Sequence, residues 1–83
     1  MKIQVRYFAA LREALGAAEQ VDVAPGSTLG QLRDQLIKRG GRHAEVLARP
    51  RPVRCALNQT MAAEDAALDG AAEVAFFPPV TGG

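Results

Sequence analysis

The carboxyl end of the sequence carries the group with the clearest chemical potential. An apolar run over residues 75–81 contains Pro78 and Pro79 and leads directly to Gly82 and Gly83. Proline fixes φ at about −65° and favours an extended backbone, so the two prolines should direct the end of the chain away from the domain. Glycine has no Cβ, so a Gly-Gly tip can enter a channel too narrow for any side chain. We therefore expect the α-carboxylate of Gly83 to be the reacting group.

The tail, residues 78–83, is expected to enter a channel in a partner protein. The residues that would lie along this channel ahead of Gly83 are Pro78, Pro79, Val80, Thr81 and Gly82. The four residues after the prolines reach roughly 13 Å when extended. The same tail is also compatible with a disordered end whose glycines resist structure, so the rest of the chain must distinguish the two.

Length and composition predict one small domain. With 83 residues the chain is near the size at which a single hydrophobic core is only just sufficient. The apolar fraction is 48%, but 16 of these residues are alanine, so the core must rest on fewer large side chains. The net charge of +1 gives no electrostatic reason to expect nucleic acid or an anionic membrane as a partner.

Cysteine content and hydropathy indicate the compartment. The single cysteine, Cys55, excludes a disulfide within the chain and favours a reducing environment. The first residues alternate apolar and polar types, unlike a signal peptide, and no apolar run reaches the length of a membrane span. We therefore expect a soluble cytoplasmic domain.

Hydrophobic periodicity predicts a mixed set of strands and helices. Alternation of apolar and polar residues predicts strands over 2–9, 19–24, 52–57 and 73–77. One main helix should begin at the N-cap Thr28, with Gln31 as its capping-box partner, and be ended by Gly40-Gly41. Short helical turns are predicted over 11–15 and 44–48. A reverse turn is predicted over 58–60, followed by a weak element of secondary structure around Met61.

This order of elements predicts an α+β domain with the ubiquitin-like β-grasp fold, in which one main helix packs on one face of a mixed sheet. The domain should span residues 1–77 and the tail residues 78–83. Phe8 and Phe77 fall on strand faces opposite the predicted core, so we expect an exposed aromatic patch that binds a partner beside the tail. Because phenylalanine is usually buried, core positions for one or both rings are the alternative.

Three segments resemble the small subunit of molybdopterin synthase. They are residues 5–13, Val-Arg-Tyr-Phe-Ala-Ala-Leu-Arg-Glu, residues 57–59, Leu-Asn-Gln, and above all residues 73–83, Glu-Val-Ala-Phe-Phe-Pro-Pro-Val-Thr-Gly-Gly. The last segment is the most specific. Ubiquitin-like modifiers and the thiazole-synthesis sulfur carrier share the Gly-Gly end, but its combination with Phe-Phe-Pro-Pro-Val is a much stronger signal. The family often has Asp-Gly-Asp-Glu-Val before the last strand. Here two alanines follow Asp69-Gly70, which places the turn one position earlier.

The resemblance implies a chemical role for Gly83. In the family, an adenylyltransferase similar to ubiquitin-activating enzymes uses ATP to adenylate the terminal carboxylate, and sulfur then replaces one oxygen to give a thiocarboxylate. That sulfur goes to cyclic pyranopterin monophosphate in the active site of the large synthase subunit, with which the small subunit forms a heterotetramer. The product gains two sulfurs, so two carriers are used for each product.

By the same resemblance, the chain is not catalytic alone and binds no cofactor or metal itself. It contains no Walker-type glycine loop, so ATP must be bound by the adenylating partner.

Other reactive side chains point to no separate chemistry. His43 is the only histidine, and we expect it to be solvated between Arg42 and Glu45. Cys55 shares an apolar strand face with its neighbours, which favours a buried, inert thiol over a nucleophile or a sulfur relay. The basic residues within 38–54 lack interleaved aromatic residues, which favours a solvated face over an RNA site. They are also compatible with a surface that steers an acidic partner.

Two other functions remain open on sequence grounds. One is a sulfur carrier for thiazole synthesis or tRNA thiolation, against which the Phe-Phe-Pro-Pro-Val approach to the tail argues. The other is a ubiquitin-like interaction module whose tail is never activated, in which loss of Gly83 would leave function intact.

Overall fold

The computed structural model describes residues 1–71 and 73–79. The predictions made for Val80, Thr81, Gly82 and Gly83 therefore lie outside the described residues. The elements, in chain order, are β1 (Lys2–Tyr7), α1 (Ala10–Leu15), β2 (Ala18–Asp22), α2 (Leu29–Ile37), α3 (Gly41–Leu47), β3 (Arg54–Leu57), β4 (Thr60–Ala62) and β5 (Glu73–Phe77).

The strands form one mixed sheet in the order β2-β1-β5-β3-β4. The β5 strand lies in the centre, parallel to β1 and antiparallel to β3. The predicted α+β, ubiquitin-like β-grasp class is confirmed. Within residues 1–71 and 73–79, no helix has both the length and the apolar character needed to cross a membrane.

Alternation along β1 places its apolar side chains in the core, as predicted. Ile3, Val5 and Tyr7 are all buried at 1% exposure or less. The strand ends two residues earlier than predicted, because Ala9 adopts φ 53° and ψ −130° and turns the chain into α1. That backbone conformation is readily adopted only by glycine, so the turn at Ala9 is a locally strained one.

The main helix, α2, forms for the reasons that its sequence indicates. The Thr28 hydroxyl accepts a hydrogen bond from the backbone N–H of Gln31, and the Gln31 side chain accepts one from the backbone N–H of Thr28. This capping box satisfies two of the N–H groups that a helix start leaves without partners. The apolar stripe of Leu29, Leu32 and Leu36 is fully buried against the inner face of the sheet.

A buried arginine on α2 was not predicted from the sequence. Arg33 is only 3% exposed, and its guanidinium donates hydrogen bonds to the backbone oxygens of Leu47, Ala48 and Arg51. It also donates to Glu64 at 2.7 Å. These contacts satisfy the guanidinium and fix the segment that joins α3 to β3, as a buried cation requires. Arg33 follows Leu29 by four residues and so lies on the same helix face. This spacing was the sequence signal that Arg33 is buried.

Other predicted boundaries also differ from the structure. The β2 strand covers Ala18–Asp22 instead of 19–24, and α2 ends at Ile37, before the predicted glycine pair. For α3 and β3, Gly or Pro explains the difference. The helical turn predicted at 44–48 is the longer helix α3, which begins at Gly41. Gly40, at φ 74°, turns the chain directly from α2 into α3 instead of ending the helical region. The third strand begins at Arg54 instead of residue 52, because Pro52 has no N–H to donate to the sheet.

The β3–β4 connection is a two-residue hairpin. Leu57 pairs with Thr60, and the residues between them, Asn58 and Gln59, both have positive φ, at 46° and 70°. Positive φ at both central positions is the requirement of a type I′ turn, which matches the twist of the paired strands. The Asn58 side-chain oxygen and backbone N–H also bond the backbone of Glu73, which ties the hairpin to the start of β5.

Replacement of Gln59 by glycine should stabilise the fold. A residue with a Cβ loses about 1–2 kcal/mol in the left-handed region, whereas glycine does not. After the entropy that glycine costs in the unfolded chain, we expect Gln59→Gly to raise the free energy of unfolding by roughly 0.5–1 kcal/mol. Urea unfolding followed by circular dichroism measures this. Gln59→Ala is the control and should give no gain; a lower midpoint for Gln59→Gly would contradict the turn assignment.

Candidate functional site

The central strand β5 determines where the tail begins. Its register runs from Gln4↔Glu73 to Tyr7↔Phe76 on the β1 side, and it ends with Arg54↔Phe77 on the β3 side. Pro78 and Pro79 follow at once, so the tail begins at the carboxyl end of the central strand of the sheet. A strand that is paired on both sides cannot shift sideways, so the point at which the tail leaves is fixed.

The inward side chains of β5 anchor this strand in the core. Val74 and Phe76 are fully buried. The Phe76 ring stacks on Tyr7, with the ring centroids 6.4 Å apart and the planes at 19°. Aromatic pairs of this kind add about 0.5–1.5 kcal/mol beyond the area that they bury. Phe76, directly before Phe77, is therefore fixed in the core.

On the opposite face, the sheet carries an apolar patch. Strand pairing places Ala75 beside Ala56, and Ala56 beside Met61, in one row across β5, β3 and β4. In the next row towards the tail, Phe77 lies on β5, and Phe8 continues β1 beside it, its N–H bonded to the Phe76 oxygen. We call these five residues the sheet patch. None of them belongs to the core cluster formed by the described residues.

The exposure of the sheet patch suits a contact surface. Phe8 is 41% exposed and Met61 is 62% exposed, while Phe77 is half-buried. Ala56 and Ala75 are short and lie between longer side chains, which shields them. Large apolar groups clustered on one face mark a protein contact better than scattered ones. The structure thus places Phe8 and Phe77 on the face that the sequence predicted, while their contact with a partner stays a prediction.

The sharp turn at Ala9 fixes Phe8 at the rim of this patch. The Phe8 carbonyl accepts hydrogen bonds from the backbone N–H groups of Leu11 and Arg12, which open α1. The Arg6 guanidinium lies 5.9 Å from the centre of the Phe8 ring. This is a cation–π distance, and it holds the ring from one side.

A small cavity lies against the root of the tail. It has a volume of about 110 Å³. Its lining includes Pro78, the segment that Arg33 fixes, and side chains of α1 and α3: Ala10, Leu11, Val46, Arg51, Pro52, Val53 and Pro78. The tail root therefore rests on the junction of α1, α3 and the approach to β3.

The expectation that His43 is solvated between Arg42 and Glu45 was wrong. Its Nε2 lies 2.8 Å from Glu19 Oε2, and its side chain is only 22% exposed. Tyr7 Oη donates to the same carboxylate oxygen at 2.7 Å, and Arg39 donates to the other at 2.5 Å. One carboxylate on β2 thus joins β1, α3 and the link after α2. The sequence alone could not show that His43 contacts the carboxylate of Glu19, which lies 24 positions earlier in the chain.

This cluster shifts the titration of its members. Burial alone would raise the pKa of the Glu19 carboxyl, but hydrogen bonds from His43, Tyr7 and Arg39 outweigh it and lower the pKa to about 2. Burial, followed by the bond to Glu19, raises the pKa of the Tyr7 hydroxyl. The groups are held as structural partners, and none faces the sheet patch.

The expectation of a buried, inert thiol at Cys55 is confirmed in its geometry. The residue is 3% exposed, and burial raises the pKa of its thiol to about 11. A thiol is nucleophilic only as the thiolate, so this group is poorly suited to a sulfur relay.

The basic residues within 38–54 are all exposed, as expected, and two of them also form ion pairs within the chain. Arg39 pairs with Glu19, and Arg49 pairs with Asp34 and Glu64. Arg54, in contrast, forms no ion pair within the part of the chain that the structure describes. Across residues 1–71 and 73–79, no group of three or more His, Cys, Asp or Glu side chains is placed to hold a metal ion.

The lowered pKa of Glu19 predicts a contribution to acid stability. Because its folded pKa lies below the ordinary 4.5, the carboxylate stabilises the fold above pH 4.5, and this contribution is lost as the pH falls towards 2. We expect Glu19→Gln to show a smaller loss of unfolding free energy than the parent between pH 4.5 and 2. Urea unfolding across this range measures it. Glu13→Gln, which removes an exposed carboxylate, should follow the parent; coincident curves for the parent and Glu19→Gln would exclude the contribution.

Comparison with known proteins identifies the family. A model of the ThiS family matches residues 5–83. The molybdopterin synthase sulfur carrier subunit of Mycobacterium tuberculosis is 39% identical over 85 residues, covering 100% of this chain and 99% of the relative. The Escherichia coli subunit of the same name is 38% identical over 81 residues, with 98% and 99% coverage.

Solved structures agree with this relation. SAMP1 from Haloferax volcanii superposes with a TM-score of 0.77 at 28% identity over the full length of both chains. In a protein–protein complex of subunits 1 and 2 of the molybdopterin-converting factor from Helicobacter pylori, one chain superposes with a TM-score of 0.65 at 25% identity, again over both full lengths. With this fold, and with relatives matched from end to end, the chain belongs to the ThiS family, alongside the molybdopterin synthase sulfur carrier subunits.

Proposed function

We propose that this chain is the sulfur-carrying subunit of a molybdopterin synthase and that it carries the sulfur on the carboxyl group of Gly83. The observation that carries the proposal is the central position of β5. Its carboxyl end leads directly into Pro78 and Pro79 beside the sheet patch. The full-length similarity to sulfur carrier subunits supports it, and the family match extends to residue 83.

The first chemical step is activation of the Gly83 carboxylate. A carboxylate is a resonance-stabilised anion and a poor electrophile. An adenylyltransferase of the ubiquitin-activating type therefore joins one carboxylate oxygen to the α-phosphate of ATP and releases pyrophosphate. A sulfur nucleophile at the oxidation level of sulfide then attacks the carbonyl carbon, and AMP leaves with that oxygen. The result is a thiocarboxylate at the end of the chain.

The second step is transfer of the sulfur. The thiocarboxylate is a softer and better nucleophile than a carboxylate. Once the tail lies in the large subunit, its sulfur attacks a side-chain carbon of cyclic pyranopterin monophosphate, and a carbon–oxygen bond at that carbon breaks as sulfur takes the place of oxygen. Water then cleaves the bond between the Gly83 carbonyl and the sulfur, which returns the carboxylate. Two sulfurs are needed for each product, which fits an assembly with two small and two large subunits.

This chain contributes the sulfur and its delivery, while the large subunit contributes the catalytic pocket. Pro78, Pro79, Val80 and Thr81 would lie along the channel of the partner, and Gly82 would pass its narrowest part. ATP belongs to the adenylating enzyme, and we assign this chain no cofactor of its own.

The sheet patch is the docking surface in this proposal. Phe77 belongs to the sheet patch and lies directly before the root of the tail, so a partner that covers the patch also receives the tail. Phe8 adds a second ring at the rim. Large aromatic side chains at the centre of an interface supply much of its binding energy.

The proposed chemistry is tested by the intact mass of the chain. After incubation with ATP, a sulfur donor and the adenylating enzyme of its host, the mass should rise by the difference between one sulfur and one oxygen. The gain should map to the terminal peptide, because only the Gly83 carboxyl is activated. A chain that lacks Gly83 should show no gain.

The same experiment separates the alternatives by what accepts the sulfur. Sulfur that reaches thiazole or tRNA, and not the pyranopterin, would redirect the chain to another carrier pathway. No mass gain with an enzyme proven active on another carrier, and with every candidate partner enzyme, would favour an interaction module without activation.

Docking through the patch is tested by Phe77→Glu. A charge at the centre of the buried contact should weaken binding to the large subunit by at least about 100-fold, or roughly 3 kcal/mol. Calorimetry with the purified large subunit measures the change. Gln20→Glu adds the same charge on the same sheet face but on the β2 edge, and should bind like the parent. Equal binding by Phe77→Glu would exclude the patch.

A further inference from the structure

Arg54 is an unusual residue to find beside the sheet patch. It lies at the start of β3 in register with Phe77, at the root of the tail. On its other side the strand pairing to β4 begins only at Cys55, so the Arg54 side chain has an open flank. It is exposed, and within residues 1–71 and 73–79 no carboxylate lies within ion-pair distance of it.

The other charged groups near Arg54 already have partners. Glu64 contributes to the same surface concavity, but its carboxylate is bonded by Arg33 at 2.7 Å and by Arg49. Those bonds outweigh the effect of burial and lower the pKa of Glu64, so this carboxylate is ionised and fully engaged. Among the described residues, Arg54 is thus left without a counter-ion, although a carboxylate lies in the same neighbourhood.

The second arginine at the patch differs in this respect. Arg6 lies on the other side of β5, one row away, with its Cα about 12 Å from that of Arg54 by the ordinary strand spacings. Its guanidinium has the Glu73 carboxylate at 3.7 Å and the Phe8 ring beside it. The charge of Arg6 is therefore partly compensated within the chain, whereas none of the residues that the structure describes compensates that of Arg54.

A covered patch would create an electrostatic problem at Arg54. A partner that seats on Phe77 also removes water from its register neighbour. A guanidinium that loses water without gaining an acceptor destabilises the complex. A carboxylate is the best acceptor, because its two oxygens match the guanidinium fork in a bidentate pair.

The surface also has room for such a group. A concavity of about 420 Å³ is lined by Arg54 and Met61, together with Cys55, Ala62 and Glu64. An Asp or Glu side chain of a partner that covers Met61 would enter this space and reach the guanidinium.

We propose that Arg54 is a specificity residue of the docking face and pairs with a carboxylate of the molybdopterin synthase large subunit, set in the concavity between Arg54 and Met61. This inference rests on the proposed function, and it adds the chemistry that the partner surface must have. A partner with an apolar match for the patch but no carboxylate at this point is rejected, because it leaves the arginine desolvated and unpaired.

The test measures binding of Arg54 variants to the purified large subunit at low and high salt. Arg54→Glu should weaken binding by at least about tenfold more than Arg42→Glu, which makes the same charge change at an exposed, unpaired arginine on α3. Arg54→Lys should recover part of the affinity, since it keeps the charge but loses the bidentate geometry. The deficit of Arg54→Glu should shrink as salt is raised, because part of it is charge repulsion.

A charge-reversal screen completes the test. Exposed Asp and Glu residues of the large subunit are changed to Arg one at a time and combined with Arg54→Glu, and one of them should restore binding. The inference is overturned if Arg54→Glu binds as well as Arg42→Glu while Phe77→Glu still abolishes binding, which leaves the docking face intact. If the parent chain does not bind the large subunit at all, the proposed function fails together with this inference.

Discussion

The pairing of β5 on both of its sides is the constraint on which the rest of the structure depends. Hydrogen bonds to β1 and β3 hold the strand in the middle of the sheet, and Val74 and Phe76 hold it in the core. The tail follows directly, so its starting point is as fixed as the core itself. In the proposed function, a reactive group at the end of the tail is useful only if the root of that tail has a defined position relative to the proposed docking surface.

The same strand links stability to recognition through the twofold alternation of its side chains. Val74 and Phe76 face the core, while Ala75 and Phe77 face the sheet patch. A shift of one residue in register would exchange the two sets and destroy both surfaces at once. Burial of the inner set therefore specifies the outer set, without any separate interaction to fix the patch.

Two carboxylates organise the helical side of the domain. Glu19 gathers groups from β1, α3 and the link after α2, while Glu64 gathers Arg33 and Arg49. In a domain with few large apolar side chains, such charge-assisted bonds hold short elements that could not be stable alone. Because these two carboxylates are engaged on the helical side, neither compensates Arg54 on the outer face, and no other carboxylate of the described residues pairs with it.

The sequence by itself determined the features that depend on local pattern and short-range chemistry. These include the inward face of β1, the capping box of α2, the bounds of β5, the burial of Cys55 and the side of the sheet on which Phe8 and Phe77 lie. Each follows from side-chain periodicity or from contacts within a few residues.

Only the tertiary structure decided the features that join distant segments. The position of β5 between β1 and β3 brought Met61 and two alanines to the two phenylalanines, and it set Arg54 beside the tail root. The folding of α3 over the sheet brought His43 to Glu19, against the prediction from the sequence. Strand order, register and helix docking are set by the packing of the whole core, so residues that are far apart in the chain carry no local signal of their contact.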